Sequence, residues 1–253
     1  MATKNHHNVY IMSATRSPIG ALAGSLSQIS AVDLATATAK SAITKAKIPA
    51  AQIDAVYFGQ VLTANCGQNP ARQIALGAGL SSRVPCTTVN KVCASSMKAI
   101  TICAQDIALS IAEIGLVGGV ESMSNAPHLL PQLRAGVRMG QSTVKDCIMQ
   151  DGLLDAGAMV PMGVFAEKCA TKYGVSREMQ DEYCVMSYER SKSAIKHSHN
   201  EITAITVTDR RGRKAIVDSD EEISRYELNK VASARPAFDK KGTVYVSSNL
   251  GLE

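Results

Sequence analysis

Strand-like and helix-like hydrophobic patterns alternate along the first half of this 253-residue chain. Short apolar or β-branched runs predict strands at 9–14, 55–62, 86–90 and 114–120. The alanine-rich stretch 30–48 and the stretch 93–111 instead place apolar residues three and four positions apart, which predicts helices buried on one face. Strands that alternate with helices predict an α/β layered domain.

Residues with the chemistry of helix caps precede several of the predicted helices. Ser30 precedes the first, and Asn69 followed by proline has the form of an N-cap and a first helical position. A later helical stretch, 163–197, is broken at Gly174 and restarts after Ser176, a further candidate cap. Two short runs after it predict a strand pair at 202–208 and 214–217.

The density of charged residues changes near residue 122. Residues 1–122 contain nine Lys or Arg and five Asp or Glu, whereas 123–245 contain 18 and 16 in nearly the same length. A lower charge density predicts deeper burial. We therefore expect a buried module followed by a more solvated one, with boundaries at 122–127 and near residue 242.

Composition excludes several classes of partner. Hydrophobic residues make up 45% of the chain, enough for a core, but aromatic residues make up only 4% and Trp is absent, which disfavours stacking on single-stranded nucleic acid. The net charge of +5 is mild and its basic residues are dispersed, so we predict no nucleic-acid partner. No leader-like start and no membrane-length apolar run is evident, which predicts a cytoplasmic protein without a membrane partner.

The seven cysteines have irregular spacing, and none forms a C-x-x-C pair. An odd, irregular set predicts neither a disulfide framework nor a zinc site, so we expect no metal. Cys93 differs from the rest because it begins an apolar stripe in the predicted helix. The stripe consists of residues 93, 97, 100, 104, 107 and 111.

Two interpretations of Cys93 compete. It could be a buried thiol that only packs, as free cysteines commonly are. It could instead be a nucleophile, because a helix N-terminus offers unpaired N–H groups and partial positive charge that stabilise a thiolate. The small residues Ala94, Ser95 and Ser96 leave room for an acyl group beside the sulfur. Position alone leaves both interpretations open.

The segment N-K-V-C-A-S-S at 90–96 resembles the nucleophile segment of thiolases, whose pattern is N-x-x-C-(A/G)-S-G. Other segments are similar to the same family in the same order. They are G-Q-V-L at 59–62, G-Q-N-P-A-R at 67–72, G-G-V-E-S-M-S at 118–124, D-G-L at 151–153 and R-P-A-F at 235–238. The resemblance runs from about residue 9 to residue 244 and is strongest to acetoacetyl-CoA thiolases.

This resemblance implies a thiolase-like layered α-β-α N-terminal domain with an inserted α+β loop domain, without the family's C-terminal half. The N-terminal domain would be 1–122, the loop domain that holds coenzyme A would be 123–245, and 246–253 would be a divergent tail. The implied boundary at 122 agrees with the change in charge density.

The resemblance also implies acetyl transfer through Cys93, either condensing two acetyl-CoA molecules to acetoacetyl-CoA or running the reverse thiolysis. Coenzyme A thioesters would be the substrates, with no further cofactor, and the enzyme would be a homo-oligomer. Leu153 and Met162 would line the pantetheine path, and Arg225 would face the nucleotide. The alternatives are ordinary core positions for Leu153 and Met162 and a solvated surface charge for Arg225.

The chain departs from the family at several positions. The motifs G-H-P-x-G-x-S-G, C-x-G-G-G and N-E-A-F, which carry the family's other catalytic groups, do not occur. Pro161 replaces a family His, Ser96 replaces a Gly, and Leu250 replaces a Ser. An alternative function is therefore a truncated, inactive fragment that binds full-length thiolase subunits. Ketoacyl synthases, which share the fold and a cysteine, are disfavoured by the loop-domain segments.

Overall fold

A parallel three-stranded sheet carries the first half of the chain. The computed structural model describes residues 8–209, 211–225 and 230–245, so the predicted tail 246–253 lies outside the described residues. The strands of this sheet are β1 Ala55–Gly59, β2 Cys86–Val89 and β3 Gly115–Gly119, in the order β2-β1-β3. Helix α1 Ala31–Ala46 precedes β1, and the helices α2 Pro70–Gly77 and α3 Ser95–Ala108 connect the strands.

One face of this sheet packs on α1 and α2. Val56 and Phe58 of β1 and Leu116 of β3 join one buried cluster with Ile74 of α2 and alanines of both helices. Alanine at the contact lets two helices approach each other and the sheet closely. The helices begin where the sequence predicts, because the side chains of Ser30 and Asn69 accept hydrogen bonds from backbone N–H groups in the first turns.

The opposite face packs on α3. The hydroxyl of Tyr57 donates a hydrogen bond to Asp106 of α3, which raises the pKa of Tyr57 to about 12. Gly115 faces Cys103 so closely that a Cβ atom at position 115 would lie 2.0 Å from the Sγ atom. Helices therefore cover both faces of the sheet, and the predicted α-β-α layering is confirmed.

Two sequence predictions in this half are wrong. Residues 9–14 form no strand, because a cavity separates the segment from β3, the nearest described strand. The apolar stripe of α3 is not its buried face. Ser95, Ala99 and Cys103 are buried there, whereas Met97 is 69% exposed and Ile100 is 47% exposed. A helical stripe identifies an apolar face, but a neighbouring layer must be present to bury it.

The second half of the described chain contains two antiparallel strand pairs and three α-helices. The strands are β4 His128–Leu129, β5 Lys145–Asp146, β6 Ile205–Thr208 and β7 Lys214–Val217, and the helices are α4 Met162–Tyr173, α5 Arg177–Ser198 and α6 Glu221–Arg225. The predicted break at 173–174 is confirmed, because Gly174 has a φ of +65° and ends α4. The predicted cap Ser176 accepts a hydrogen bond from the N–H group of Met179.

The two halves are joined by an ion-pair network centred on Arg16. Its guanidinium binds both carboxylate oxygens of Asp220, at 2.7 and 2.8 Å, and Glu201 at 2.9 Å. Asp220 also accepts the N–H group of Ile19 at 2.8 Å. Burial opposes ionisation of Asp220, but these hydrogen bonds outweigh it and lower the pKa of the carboxyl group. The division into two domains at residue 122 stays a prediction.

Replacing Arg16 with Gln should destabilise the fold by about 1–2 kcal/mol at pH 7, since the charged hydrogen bonds to a partly buried carboxylate are lost. The lowered pKa of Asp220 means that its stabilisation is complete above about pH 4, the usual Asp range, and disappears as the pH falls through the folded-state value. Urea unfolding of wild type and Arg16→Gln should therefore converge at low pH. Arg213→Gln, which breaks an exposed pair with Asp209, is the control and should cost less. An equal loss in both variants would contradict this assignment.

Candidate active site

Cys93 lies in the short turn between β2 and α3. Its thiol is free and solvent-exposed, so the interpretation as a buried packing residue is wrong. The expectation that Cys93 begins the helix also needs correction, because α3 begins at Ser95, two residues later. Cys93 is therefore exposed to solvent just before the N-terminus of α3.

Side chains on both sides of Cys93 fix the shape of this turn. The Oγ atom of Ser95 accepts the N–H group of Lys91 at 2.8 Å and donates to the carbonyl of Val92. Asn90 accepts the N–H group of Val92 at 3.0 Å through its Oδ1 atom. Val92 itself has a φ of +49°, a left-handed conformation that is strained for a β-branched residue. The turn is held in a conformation that its sequence alone would not favour.

The carboxyl ends of β1 and β3 lie against the end of this turn, where α3 begins. A Cβ atom at Gly59 would lie 2.4 Å from the backbone of Ser95 and Ser96. A Cβ atom at Gly119 would lie 2.5 Å from the Cβ atom of Ser96. Glycine is therefore required at both strand ends for α3 to start where it does. The site lies at the carboxyl edge of a parallel sheet, where open α/β sheets bind their ligands.

The N-terminus of α3 begins two residues after the thiol. The first N–H groups of a helix have no partner within the helix, and they carry partial positive charge. Ala94, at the cap position, has no side-chain oxygen that could accept from them, although the N–H group of Ser95 donates to the carbonyl of Val92. The arrangement suits an acyl group on Cys93, because negative charge that develops on a carbonyl oxygen is stabilised by such donors.

A half-buried carboxylate lies at this edge of the sheet. Glu121, just after β3, accepts the N–H groups of Val61 and Leu62 at 2.9 and 3.1 Å. Burial raises the pKa of Glu121, although both hydrogen bonds oppose the increase. Leu62 in turn lies 3.7 Å from the position of a Cβ atom on Gly152. Glu121 therefore holds residues 61–62 in the position where they lie next to the 148–153 segment.

The structure brings Leu153 and Met162 towards each other. Leu153 ends the π-helical turn Ile148–Leu153, and Met162 begins α4. Their neighbours Leu154 and Pro161 form an antiparallel bridge, closed by a hydrogen bond from the N–H group of Asp155 to Val160. Leu153 is half-buried and Met162 is 52% exposed, so neither is an ordinary core residue.

Arg225 lies elsewhere, at the end of α6. Its guanidinium binds Glu221 at 2.8 Å. Glu221 also accepts the N–H groups of Ala21 and Ser25. Among the described residues, no hydrogen bond or salt bridge joins Cys93 to Leu153, Met162 or Arg225. Their joint role in one site stays a prediction.

Sequence reasoning missed the residues that hold the turn. Ser95 and Ser96 counted only as small neighbours of the thiol, and Val92 had no assigned role. Gly59 and Gly119 could have predicted this contact, since glycine at the end of a predicted strand indicates that another backbone approaches closely there.

Within the described ranges, no group of three or more His, Cys, Asp or Glu side chains is arranged to hold a metal ion. Nor is any helix of those ranges both long and apolar enough to cross a bilayer.

Residues 9–250 match the family described as "Thiolase, N-terminal domain". The chain belongs to the thiolase family. The match includes Cys93 and the predicted loop region, and it agrees with the family that the sequence motifs indicate.

Named thiolase relatives are similar over almost the whole chain. The cytosolic acetyl-CoA acetyltransferase ERG10 of Gibberella zeae is 46% identical over 238 residues, which are 93% of this chain and 60% of the relative. The acetyl-CoA acetyltransferase of Saccharomyces cerevisiae is 44% identical over 249 residues, 96% of this chain and 62% of the relative. The chain thus spans about 60% of the length of the curated relatives it matches.

Solved thiolase structures share the fold. The acetyl-CoA acetyltransferase of Syntrophomonas wolfei superimposes with a TM-score of 0.88 at 36% identity, covering 93% of this chain and 59% of that chain. The Acat5 thiolase of Ascaris suum, solved in complex with coenzyme A, has a TM-score of 0.87 at 37% identity and covers 95% and 61%.

Replacing Gly59 with Ala should destabilise the chain by about 1–3 kcal/mol, because backbone rather than a flexible side chain blocks the new methyl group. The same change should alter the alkylation rate of Cys93, since α3 must move away from β1. Thermal unfolding and iodoacetamide labelling measure the two effects. Gly157→Ala is the matched control, because its nearest atom would be 3.5 Å away, and its effect should stay within about 0.5 kcal/mol. Equal behaviour of the two variants would refute the close-approach argument.

Proposed function

We propose that this chain carries the nucleophile of an acetyl-CoA C-acetyltransferase of the thiolase family, with Cys93 as the acyl acceptor. The observation that supports this most directly is the exposed Cys93 thiol in a fixed turn, next to the N-terminus of α3, which has no side-chain cap. The relatives named as acetyl-CoA acetyltransferases supply the reaction class.

In the proposed reaction, the Cys93 thiolate attacks the carbonyl carbon of acetyl-CoA. A carbon–sulfur bond forms to Cys93, the bond to the coenzyme A sulfur breaks, and the departing thiolate takes up a proton. The N–H groups at the start of α3 stabilise the negative oxygen of the tetrahedral intermediate. The product is an acetyl-thioester on Cys93 and free coenzyme A.

Condensation with a second acetyl-CoA gives acetoacetyl-CoA, and thiolysis is the reverse. This step needs a base that removes a proton from the methyl group of the second substrate. The family motifs that carry the other catalytic groups do not occur in residues 1–253. The residues present therefore support acylation, and the condensation belongs to the proposal for the whole enzyme.

For coenzyme A, the loop region supplies the proposed contacts. Leu153 and Met162, held together by the 154–161 bridge, would line the pantetheine path. Arg225 would face the nucleotide, where a phosphate would compete with Glu221 for the guanidinium. Coenzyme A in the solved Ascaris suum thiolase is consistent with this substrate class. No other cofactor is invoked, and we place the protein in the cytoplasm, as one relative's name states for that relative.

Incubating the purified chain with acetyl-CoA labelled in the acetyl group tests the nucleophile. We expect label on the Cys93 peptide, and complete loss of that label in Cys93→Ser. Cys169→Ser, which removes an exposed thiol on α4, is the control and should retain the label. Label that is unaffected by Cys93→Ser, or no label on a chain with a native circular-dichroism spectrum, contradicts the proposal.

A second candidate function is supported by the exposed face of α3. Met97, Ile100 and, just beyond the helix, Ile111 are largely exposed apolar residues. Apolar residues grouped in this way are typical of a protein interface. The chain would then be an interaction module that pairs with its own copies or with full-length thiolase subunits. Sedimentation velocity distinguishes it, since Met97→Lys should abolish the assembly but leave acylation of Cys93 intact.

A further inference from the structure

The antiparallel pair of β6 and β7 ends in a fixed and strongly basic turn. Residues 210–214 read R-R-G-R-K, and Asp209 is the acidic residue beside them. The Asp209 carboxylate accepts the N–H groups of Arg211 and Arg213 at 2.8 and 2.9 Å, and it binds the Arg213 guanidinium at 2.7 Å. Gly212 completes the turn with a φ of +77°. One carboxylate balances one cation, so the turn keeps a net positive charge.

The outer edge of β7 is unpaired in the part of the chain that the structure describes. β7 pairs with β6 alone, in a sheet of two strands. The N–H group of Asp209 donates to the carbonyl of Arg213 at 2.9 Å, so the odd-numbered residues of β7 direct their backbone groups towards β6. Lys214 and Ile216 therefore direct theirs outwards, and no described residue bonds to them. An unpaired edge of this kind accepts another strand readily.

The side chains along this edge follow a definite order of charge. Lys214 begins the strand and is exposed, Ile216 is 70% exposed, and the exposed Asp218 follows directly after the strand. These alternate positions lie on one face of the strand. Neither Lys214 nor Asp218 forms a salt bridge with another described residue. The edge is therefore positive at one end, apolar in the middle and negative at the other end.

This edge and the exposed apolar side chains of α3 belong to separate surfaces. β6 packs on α1, where Ile205 and Val207 join a buried cluster with Leu34. Helices α1 and α3 cover opposite faces of the main sheet. An association through β7 can therefore be measured separately from an association through α3.

We propose that β7 pairs with β7 of a second copy of this chain, antiparallel and about a two-fold axis at Ile216. In this register Ile216 lies opposite its own copy, and Lys214 of each chain lies opposite Asp218 of the other. Two opposite-charge pairs thus flank one apolar contact, which stabilises the register. A parallel pairing, or a slip that places Lys214 opposite its own copy, would bring like charges together.

The second copy is the occupant because this edge is complementary to itself. Its three outward-facing side chains find an opposite charge, an apolar partner and an opposite charge on the same segment turned by 180°. The backbone groups of Lys214 and Ile216, which are unpaired in the single chain, would gain partners at the same time. The strands of the two copies would form one sheet in the order β6-β7-β7-β6.

This proposal does not depend on the chemistry of Cys93. It is tested in a chain that carries Met97→Lys, which makes the exposed face of α3 polar and leaves β7 unchanged. Sedimentation velocity over a range of protein concentrations measures the association. We expect a dimer that persists in this chain. Its dissociation constant should increase with salt concentration, because salt screens exposed ion pairs.

Charge reversal at the two ends of the edge tests the register. In the Met97→Lys chain, Lys214→Asp and Asp218→Lys each replace two attractive pairs with two repulsive pairs, so each should weaken the dimer about tenfold or more. An equimolar mixture of the two variants should associate again, because each new charge faces an opposite charge on the other variant. Lys192→Asp, the same change at an exposed position of α5, is the control and should leave the dimer unchanged.

The chain that carries both reversals should also dimerise, since its two charges are only exchanged. Far-UV circular dichroism checks that each variant is folded. The absence of a dimer in the Met97→Lys chain, or a dimer that both single reversals leave unchanged, would overturn the proposal. Loss of the dimer in folded single variants, without recovery in either the mixture or the double variant, would also overturn it, because the two charges would then not face each other.

Discussion

The contact between the ends of two strands and the start of α3 is the constraint on which the rest of the site depends. Gly59 and Gly119 have no side chain, so the backbone of Ser95 and Ser96 can lie directly against the sheet. That contact sets where the helix begins, and the helix start sets where the Cys93 turn must bend. The position of the thiol at the carboxyl edge of the parallel sheet therefore depends first on backbone packing and only then on side-chain interactions.

The second half of the chain is attached to this framework by a small apolar cluster, in which Leu34 packs with Ile205, and by charged and polar contacts. Arg16 binds Asp220 and Glu201, and Glu221 accepts N–H groups from the 21–25 segment. Such contacts are directional, so they fix orientation more effectively than apolar burial does. They explain how a region with a high charge density is held in a defined position against a buried sheet.

Local features of the sequence predicted the structure well. Ser30, Asn69 and Ser176 cap helices as expected, because a cap depends only on residues within one turn of itself. Two features that depend on distant partners failed. The apolar run at 9–14 becomes a strand only beside a neighbouring strand, and the stripe of α3 is buried only under a covering layer. The hydrophobic pattern alone could therefore not show whether either partner is present. Cys93 was found from its motif, while the strand-end glycines and the conformation of Val92 require the backbone itself.

The left-handed backbone at Val92 has a consequence for how this region can vary. A glycine or asparagine there would adopt the same φ with less strain, and the folded chain would gain stability. The same replacement would let the neighbouring thiol sample more orientations, since the stiff branched residue no longer restricts the turn. Position 92 is thus a place where stability of the fold and alignment of the proposed nucleophile favour different amino acids, and selection for one would act against the other.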